Sequence, residues 1–335
     1  MRYLGLIVLF AVSASAKPPA LERFEFAERH MGTRFRIILY APDAGAAERA
    51  AKAAFQRVAA LDSIMSDYRA DSELSRLSDQ AGGQTVKVSE DLFRVLAAAQ
   101  KLAQETRGAF DVTAGPVVQL WRIARMKGSL PDPELMEQAR ARVGYENLSL
   151  NDREQTAQLL KKDMSLDLGG IAKGFAADEA LRVLKQFQIQ SALVAAGGDI
   201  AVSDAPSGKS GWLIGIAPLE PPGSKPKRFL LLSNAAVSTS GDAEQHVEIN
   251  GVRYSHIVDP RTGEALEGRS SVSVVAPNGM TSDSLATAIS VLGPVKGLEL
   301  IRRTKETGVL MVFETTQGRK EVKLNFPPEA KPDDN

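Results

Sequence analysis

Near Ser191 the apolar residues of this 335-residue chain change their spacing, and that change narrows the possible folds more than any other feature. Upstream, helical spacing dominates. A stretch opened by Asp43 carries Phe55, Val58 and Leu61 on one face, and a second starting at Ser89 carries Leu92, Val95, Leu96, Ala99 and Leu102. Asp132-Pro133 marks a third helix start, with Gly144 as its stop. Residues 34–40 alternate like a strand. Downstream, 192–196, 212–216, 229–232, 246–249, 252–258, 272–275 and 309–313 read as strands, and Asn250-Gly251 is a strong hairpin signal. Helices at 282–292 and around Leu298 interrupt them. This order predicts an α+β fold, a helix-rich first half packed with the antiparallel sheets of the second half, rather than a doubly wound parallel sheet. The segment 218–227 reads as a surface loop and 327–335 as a disordered tail, both rich in proline and charge without periodicity.

The N-terminus points to export. Met1-Arg2 precedes an apolar run over 3–12 and then Ala14-Ser15-Ala16, the charged start, short apolar core and small-x-small site of a signal peptide cleaved after Ala16. Ten apolar residues are too few to span a bilayer as a helix, and no other segment reads as long enough. Without a cysteine after the run, no lipid anchor can form there. The expected product is soluble and periplasmic, and loss of Arg2 turns the balance of 41 basic and 41 acidic side chains to a net charge of −1. A neutral chain without a Lys/Arg stripe gives no field for phosphate backbones, which argues against nucleic acid as partner. The absence of cysteine removes thiolate metal sites, disulfides and a Cys nucleophile, and His30, His246 and His256 are too few for a histidine cage. Any metal is expected to be hard and oxygen-bound.

Three segments can carry chemistry. In 167–178, Asp167-Leu168-Gly169-Gly170-Ile171-Ala172-Lys173-Gly174 runs from a strand-like start through a double glycine into a helical pattern. A glycine turn at a helix N-terminus offers free N–H groups to an anion and Lys173 adds a charge, yet a tight turn with a solvated lysine fits the same residues. In Thr281-Ser282-Asp283-Ser284-Leu285-Ala286-Thr287, Asp283 and Thr287 stand four apart on one helix face. That pairing suits Mg²⁺, and Ser282 or Asp283 as a simple helix cap suits it equally. In Tyr254-Ser255-His256-Ile257-Val258-Asp259-Pro260-Arg261-Thr262-Gly263, His256 is a candidate general base or a structural histidine. By composition Gly108-Ala109-Phe110-Asp111, with Trp121 beyond, reads as core.

Taken in order with Met31-Gly32-Thr33, Ser66-Asp67-Tyr68, Ser72-Glu73-Leu74, Ala196-Gly197-Gly198-Asp199-Ile200 and Thr239-Ser240-Gly241, these segments resemble the FAD:protein FMN transferase family, also called ApbE, from about Met31 to beyond Gly293. The resemblance implies a T-fold-like α+β architecture with an FAD cleft between its two parts. It implies one transferase domain over 17–326, in two subdomains meeting near 165–190. It also implies Mg²⁺-dependent cleavage of FAD outside the cytoplasm, with FMN attached by a phosphoester to a threonine of a target flavoprotein and AMP released. The acceptor implied is an exported or membrane-bound flavoprotein with a Ser/Thr-Gly-Ala-Thr-like motif.

Carried onto this chain, the resemblance implies that Met31, Tyr68, Ala109, Phe110 and Asp111 line the flavin, that Asp167, Lys173, His256 and Ile257 contact FAD, and that Gly170, through its backbone, Asp283 and Thr287 hold the metal. His256 is then the candidate base and Lys173 the charge beside the pyrophosphate. The chain departs from the family pattern at Ala243 and in Val194-Ala195-Ala196, on the substrate side. A Mg²⁺-dependent FAD pyrophosphatase giving FMN and AMP, or a non-catalytic periplasmic flavin carrier, are the competing functions.

Overall fold

The computed structural model describes residues 20–216, 219, 225–241 and 246–331. The expected signal peptide over 1–16, Ala243, most of 218–224 and the last four residues lie outside the described residues.

β1 (Glu22–His30) and β2 (Thr33–Ala41) form a hairpin whose two-residue turn, Met31-Gly32, has φ of 48° and 71°. Such a turn matches the natural twist of the strands. α1 (Ala44–Met65) follows, with the Asp43 carboxylate accepting from Ala46 N, and buries an alanine-rich face ending in Phe55, Val58, Leu61 and Met65. Next come α2 (Glu73–Asp79), β3 (Val86–Lys87), α3 (Glu90–Thr106) capped by Ser89, α4 (Gly115–Lys127) with proline in its first turn, and α5 (Pro133–Arg140) capped by Asp132. β4 (Leu148–Asn151) and β5 (Thr156–Leu159) join β3 in a small sheet ordered β3-β5-β4.

The second half runs through α6 (Ala172–Gln186), β6 (Ala192–Ala196), β7 (Asp199–Val202), β8 (Trp212–Ile216), β9 (Arg228–Leu232), β10 (Ala235–Gly241), β11 (His246–Ile249), β12 (Val252–Val258), β13 (Ala265–Glu267) and β14 (Ser270–Ala276). α7 (Gly279–Arg303), β15 (Gly308–Thr315) and β16 (Gly318–Leu324) complete it. The described strands build a large antiparallel sheet in the order β1-β2-β6-β7-β10-β14-β15-β16. The α+β reading therefore holds, with one correction in detail: the first hairpin belongs to the sheet of the second half.

Both faces of the large sheet are covered. Phe35, Ile37, Leu39, Val194, Val272, Val274, Val309 and Met311 face α1, α6 and α7, while Ile38, Leu193, Val275, Leu310 and Val312 meet the β8–β9 hairpin through Trp212, Ile214 and Leu230. Burial on both sides is why 192–196 reads as an unbroken apolar run instead of an alternation. A third cluster joins Val117, Trp121 and Ala139 of α4 and α5 to Val258 and Ala265 of the β11-β12-β13 sheet.

α7 spans 25 residues and by length and mean hydropathy passes for a membrane span, contrary to the expectation that no segment does. Gly293 (φ 71°, ψ −179°) and Pro294 break it after Leu292, as the sequence predicts, and its apolar side chains Leu285, Ile289, Leu300 and Ile301 are buried in the main core. Within the described part of the expected tail, 327–331, Ala330 N donates to Phe229 O at 2.8 Å and Glu329 lies 3.5 Å from Arg228. The β9 edge has unpaired backbone groups, and this segment satisfies one of them.

Candidate active site

α6 and α7 cross at two glycines. A Cβ on Gly174 would stand 2.1 Å from Gly279 O, so only bare backbone fits at the contact. Asp178, one turn on, locks the crossing by accepting from Gly279 N at 2.6 Å and Met280 N at 2.9 Å. These are orphan donors at the start of α7, where a carboxylate also meets the positive end of the helix dipole. Burial nevertheless pushes the Asp178 carboxyl up to about 6, against those two hydrogen bonds. The α7 cap itself is Asn278, accepting from Thr281 N at 2.9 Å, so neither Ser282 nor Asp283 caps the helix. Ser282 instead pairs with Ser238 of β10, hydroxyl to hydroxyl at 2.8 Å.

The crossing brings Asp283 to the N-terminus of α6. Its Oδ2 accepts from Gly174 N at 3.0 Å and lies 3.8 Å from Lys173 Nζ. Lys173 Nζ also lies 2.9 Å from Asp199 Oδ2 and donates to Gly169 O at 3.0 Å. Asp199 opens β7 after the Gly197-Gly198 turn, which Thr239 N pins by donating to Gly198 O at 3.0 Å. Burial pulls Lys173 down, but Asp199 and Asp283 outweigh it and hold the ammonium above the ordinary lysine range. Asp283 goes the other way: burial and repulsion from Asp199 push its carboxyl up to about 7, against the attraction of Lys173. Thr287, one turn beyond, lies 3.3 Å from Ser240 Oγ and abuts Gly170, where a Cβ would stand 2.8 Å from the threonine hydroxyl.

A second arrangement stands on Asp167, just before the glycine pair. Its Oδ1 accepts from Gly169 N at 2.7 Å and its Oδ2 accepts from Arg122 of α4 at 2.6 Å. The same guanidinium pairs with Asp67 and lies 4.3 Å from the centre of the Tyr68 ring. Asp67 is pushed up by burial and by Asp167, with Arg122 opposing. Met31, in the β1–β2 turn, is half-buried against the main core.

The 109–111 tripeptide is tied to this loop through Asp167 N donating to Val112 O at 2.8 Å. Its Ala109 and Phe110 side chains are buried, and Phe110 packs in the main core. The reading of this segment as core therefore holds for these two side chains. The Asp111 carboxylate accepts from Thr113 N and Oγ1 at 2.8 and 2.7 Å, and it edges a cavity of about 430 Å³ that Arg107, Arg140, Tyr145 and Arg261 also line. His256 and Ile257 stand on β12, in an irregular stretch where Tyr254 pairs with Glu267 but Val258 with Ala265. His256 is half-buried and Ile257 buried there.

The structure thus gathers Gly170, Lys173, Asp283 and Thr287 in one cluster, links Asp167 to Tyr68 through Arg122, and leaves His256 and Ile257 on a separate sheet. The donor set around Asp283 is all oxygen: a carboxylate, the Thr287 hydroxyl and the backbone of the glycine turn. Among the described residues no group of three or more His, Cys, Asp or Glu side chains forms a metal cage. A buried carboxylate pair sharing one ammonium, with few protein ligands, fits a hard cation whose remaining positions are taken by water and substrate phosphates, the habit of Mg²⁺.

Sequence reasoning gave no role to Asp199, Asp178 or Arg122. Asp199 had a signal in its Gly-Gly-Asp turn, whereas Arg122 sits in an unremarkable helix.

A model of the ApbE family matches residues 31–311. The chain is 33% identical over 321 residues to an FAD:protein FMN transferase of Treponema pallidum (strain Nichols), covering 91% of this chain and 89% of the relative. It is 32% identical to a protein of the same name from Haemophilus influenzae, covering 94% and 93%. Among solved structures, flavin transferase ApbE from Vibrio cholerae matches with a TM-score of 0.81 at 30% identity over 91% of this chain and 98% of that one. The apo form of Pseudomonas stutzeri flavinyl transferase ApbE matches with a TM-score of 0.79 at 28% identity, over 92% and 96%.

Proposed function

The chain belongs to the ApbE family and is an FAD:protein FMN transferase, and on that premise we propose that it moves FMN from FAD to a threonine hydroxyl of an exported flavoprotein, with Mg²⁺, releasing AMP. The acceptor carries a Ser/Thr-Gly-Ala-Thr-like motif. The signal peptide over 1–16 supports a periplasmic site of action.

The observation that carries the reading is the buried cluster of Asp199 and Asp283 around Lys173, short of positive charge. Asp283, Thr287 and the Gly170 backbone would hold Mg²⁺. When bound, the ion would neutralise charge on the phosphates of FAD. Lys173, kept protonated by its two carboxylates, would add positive charge beside the pyrophosphate. Gly174 and Asp178 keep the Asp283 carboxylate aimed by fixing the helix crossing. In the transfer, the acceptor oxygen would form a bond to the phosphorus on the riboflavin side while the bond from that phosphorus to the bridging oxygen breaks, and AMP would leave with the bridging oxygen. His256 would take the threonine proton. Tyr68 and Met31 would offer surfaces to the isoalloxazine ring. Placement and electrostatics supply most of the catalysis in such a site.

The test is incubation of the mature protein with FAD, Mg²⁺ and a recombinant acceptor bearing the motif, followed by intact mass of the acceptor and AMP release. One FMN per acceptor with equal AMP, abolished by EDTA, is expected. AMP with free FMN and no adduct on two different acceptors would make the protein a pyrophosphatase instead, and FAD left intact would make it a carrier.

A further inference from the structure

We propose that Arg122 is the positioning residue of the flavin platform: its guanidinium backs the Tyr68 ring and ties it to the Asp167–Lys173 loop, so that ring and phosphate site are held in one geometry before FAD arrives. The proposal rests on the flavin-transferase reading and deepens it.

Tyr68 is 74% exposed, in the short connection between α1 and α2. An aromatic side chain so placed buries too little apolar area to be fixed by packing. One face of its ring is nevertheless occupied by a cation 4.3 Å from the ring centre, within the range at which a π face attracts a guanidinium. The other contacts of Arg122 explain why that cation stays in place. It pairs with Asp67, the residue before Tyr68, and with Asp167 at 2.6 Å. One rigid planar group thus holds the backbone carrying the ring, the ring itself, and the aspartate whose Oδ1 accepts from Gly169 N. A lysine cannot do the same, because a point charge on a flexible stem has neither the fork for two carboxylates nor the plane for the ring. A ring fixed before binding loses less conformational freedom when a flat ligand stacks on it, which is affinity gained without a new contact to the ligand.

The test compares the full-length mature protein with Arg122→Lys, Arg122→Gln, Tyr68→Ala and the Arg122→Gln/Tyr68→Ala double variant. FAD Kd, quenching of flavin fluorescence on binding, and KM and kcat for transfer are measured, with thermal melting as the check on folding. Expected are a rise in FAD Kd of roughly three- to tenfold in both Arg122 variants, weaker quenching, a KM that moves more than kcat, and little added loss from Arg122→Gln once Tyr68 is alanine. Should Arg122→Gln not fold, Arg122→Lys carries the same comparison. Unchanged Kd and quenching in folded variants, or an equal loss with and without the Tyr68 ring, would overturn the proposal. A wild-type protein that binds no FAD would overturn the flavin reading together with it, an outcome the wild-type measurement separates from the others.

Discussion

Helix α6 carries two buried charge clusters six residues apart, and they are built on opposite terms. At its start, the single ammonium of Lys173 serves Asp199 and Asp283. Farther along, Glu179 is met by Arg57 at 2.6 Å, Arg182 at 2.8 Å and Arg94 at 3.4 Å, while Arg57 also holds Asp91 at 2.5 Å. Burial raises Glu179, but the hydrogen bonds from Arg182 and Arg57 outweigh it and hold the carboxyl below its ordinary value of 4.5. Asp283 is instead pushed up to about 7. A buried carboxylate with cations in surplus is a strut between α1, α3 and α6. One that shares a single ammonium with a second carboxylate is left short of positive charge, the feature on which the proposed Mg²⁺ site rests.

The largest expected effect falls on the short cluster. Asp283→Asn keeps an acceptor for Gly174 N yet removes the charge, and should cut FMN transfer by on the order of 10²–10³-fold without lowering Tm. A variant that melts lower while transferring normally would make Asp283 a strut like Glu179. Next comes the crossing that aims Asp283. Gly174→Ala drives a Cβ into Gly279 O and should cost about 3 kcal/mol in denaturant unfolding, with transfer falling as the helices part.

Glu179→Gln should do the reverse of Asp283→Asn: about 2 kcal/mol of stability lost, with kcat for transfer nearly unchanged. A large loss of kcat would show that the two clusters act as one. The smallest effect is in acid. Because the folded pKa of Glu179 lies below its unfolded value, its contribution is present above pH 4.5 and is lost as pH falls through the folded value. Urea unfolding of the wild type should therefore weaken more steeply than that of Glu179→Gln over that window, and parallel curves would remove Glu179 from the acid response.

The comparison also separates what local sequence reveals from what it hides. Helix starts at Asp43, Ser89 and Asp132, the Asn250-Gly251 hairpin and the break after Leu292 were legible, because a cap or a turn is decided within four residues. The strands β1 and β16 were not. They are the edges of the large sheet, and their charged residues, which protect an edge from pairing with other chains, break the apolar pattern. In the candidate site, Asp283 and Thr287 could be read from their shared helix face. The burial of Phe110 was readable from composition, and its ring packs in the main core.

Sequence alone determined the capped helix starts, the central strands, the family motifs and the residue types available for chemistry. All of these rest on interactions between near neighbours or on the covalent chain. Only the tertiary structure decided that Asp283 meets Gly174 across 109 residues, that Lys173 answers to Asp199, and that Arg122 backs Tyr68. The physical reason is that a buried group's charge state depends on lost water and on whichever charges packing sets beside it. Residues far apart along the chain supply those neighbours, so an Asp and a Glu that look alike on paper end in opposite surroundings, Asp283 beside one shared ammonium and Glu179 among three guanidiniums.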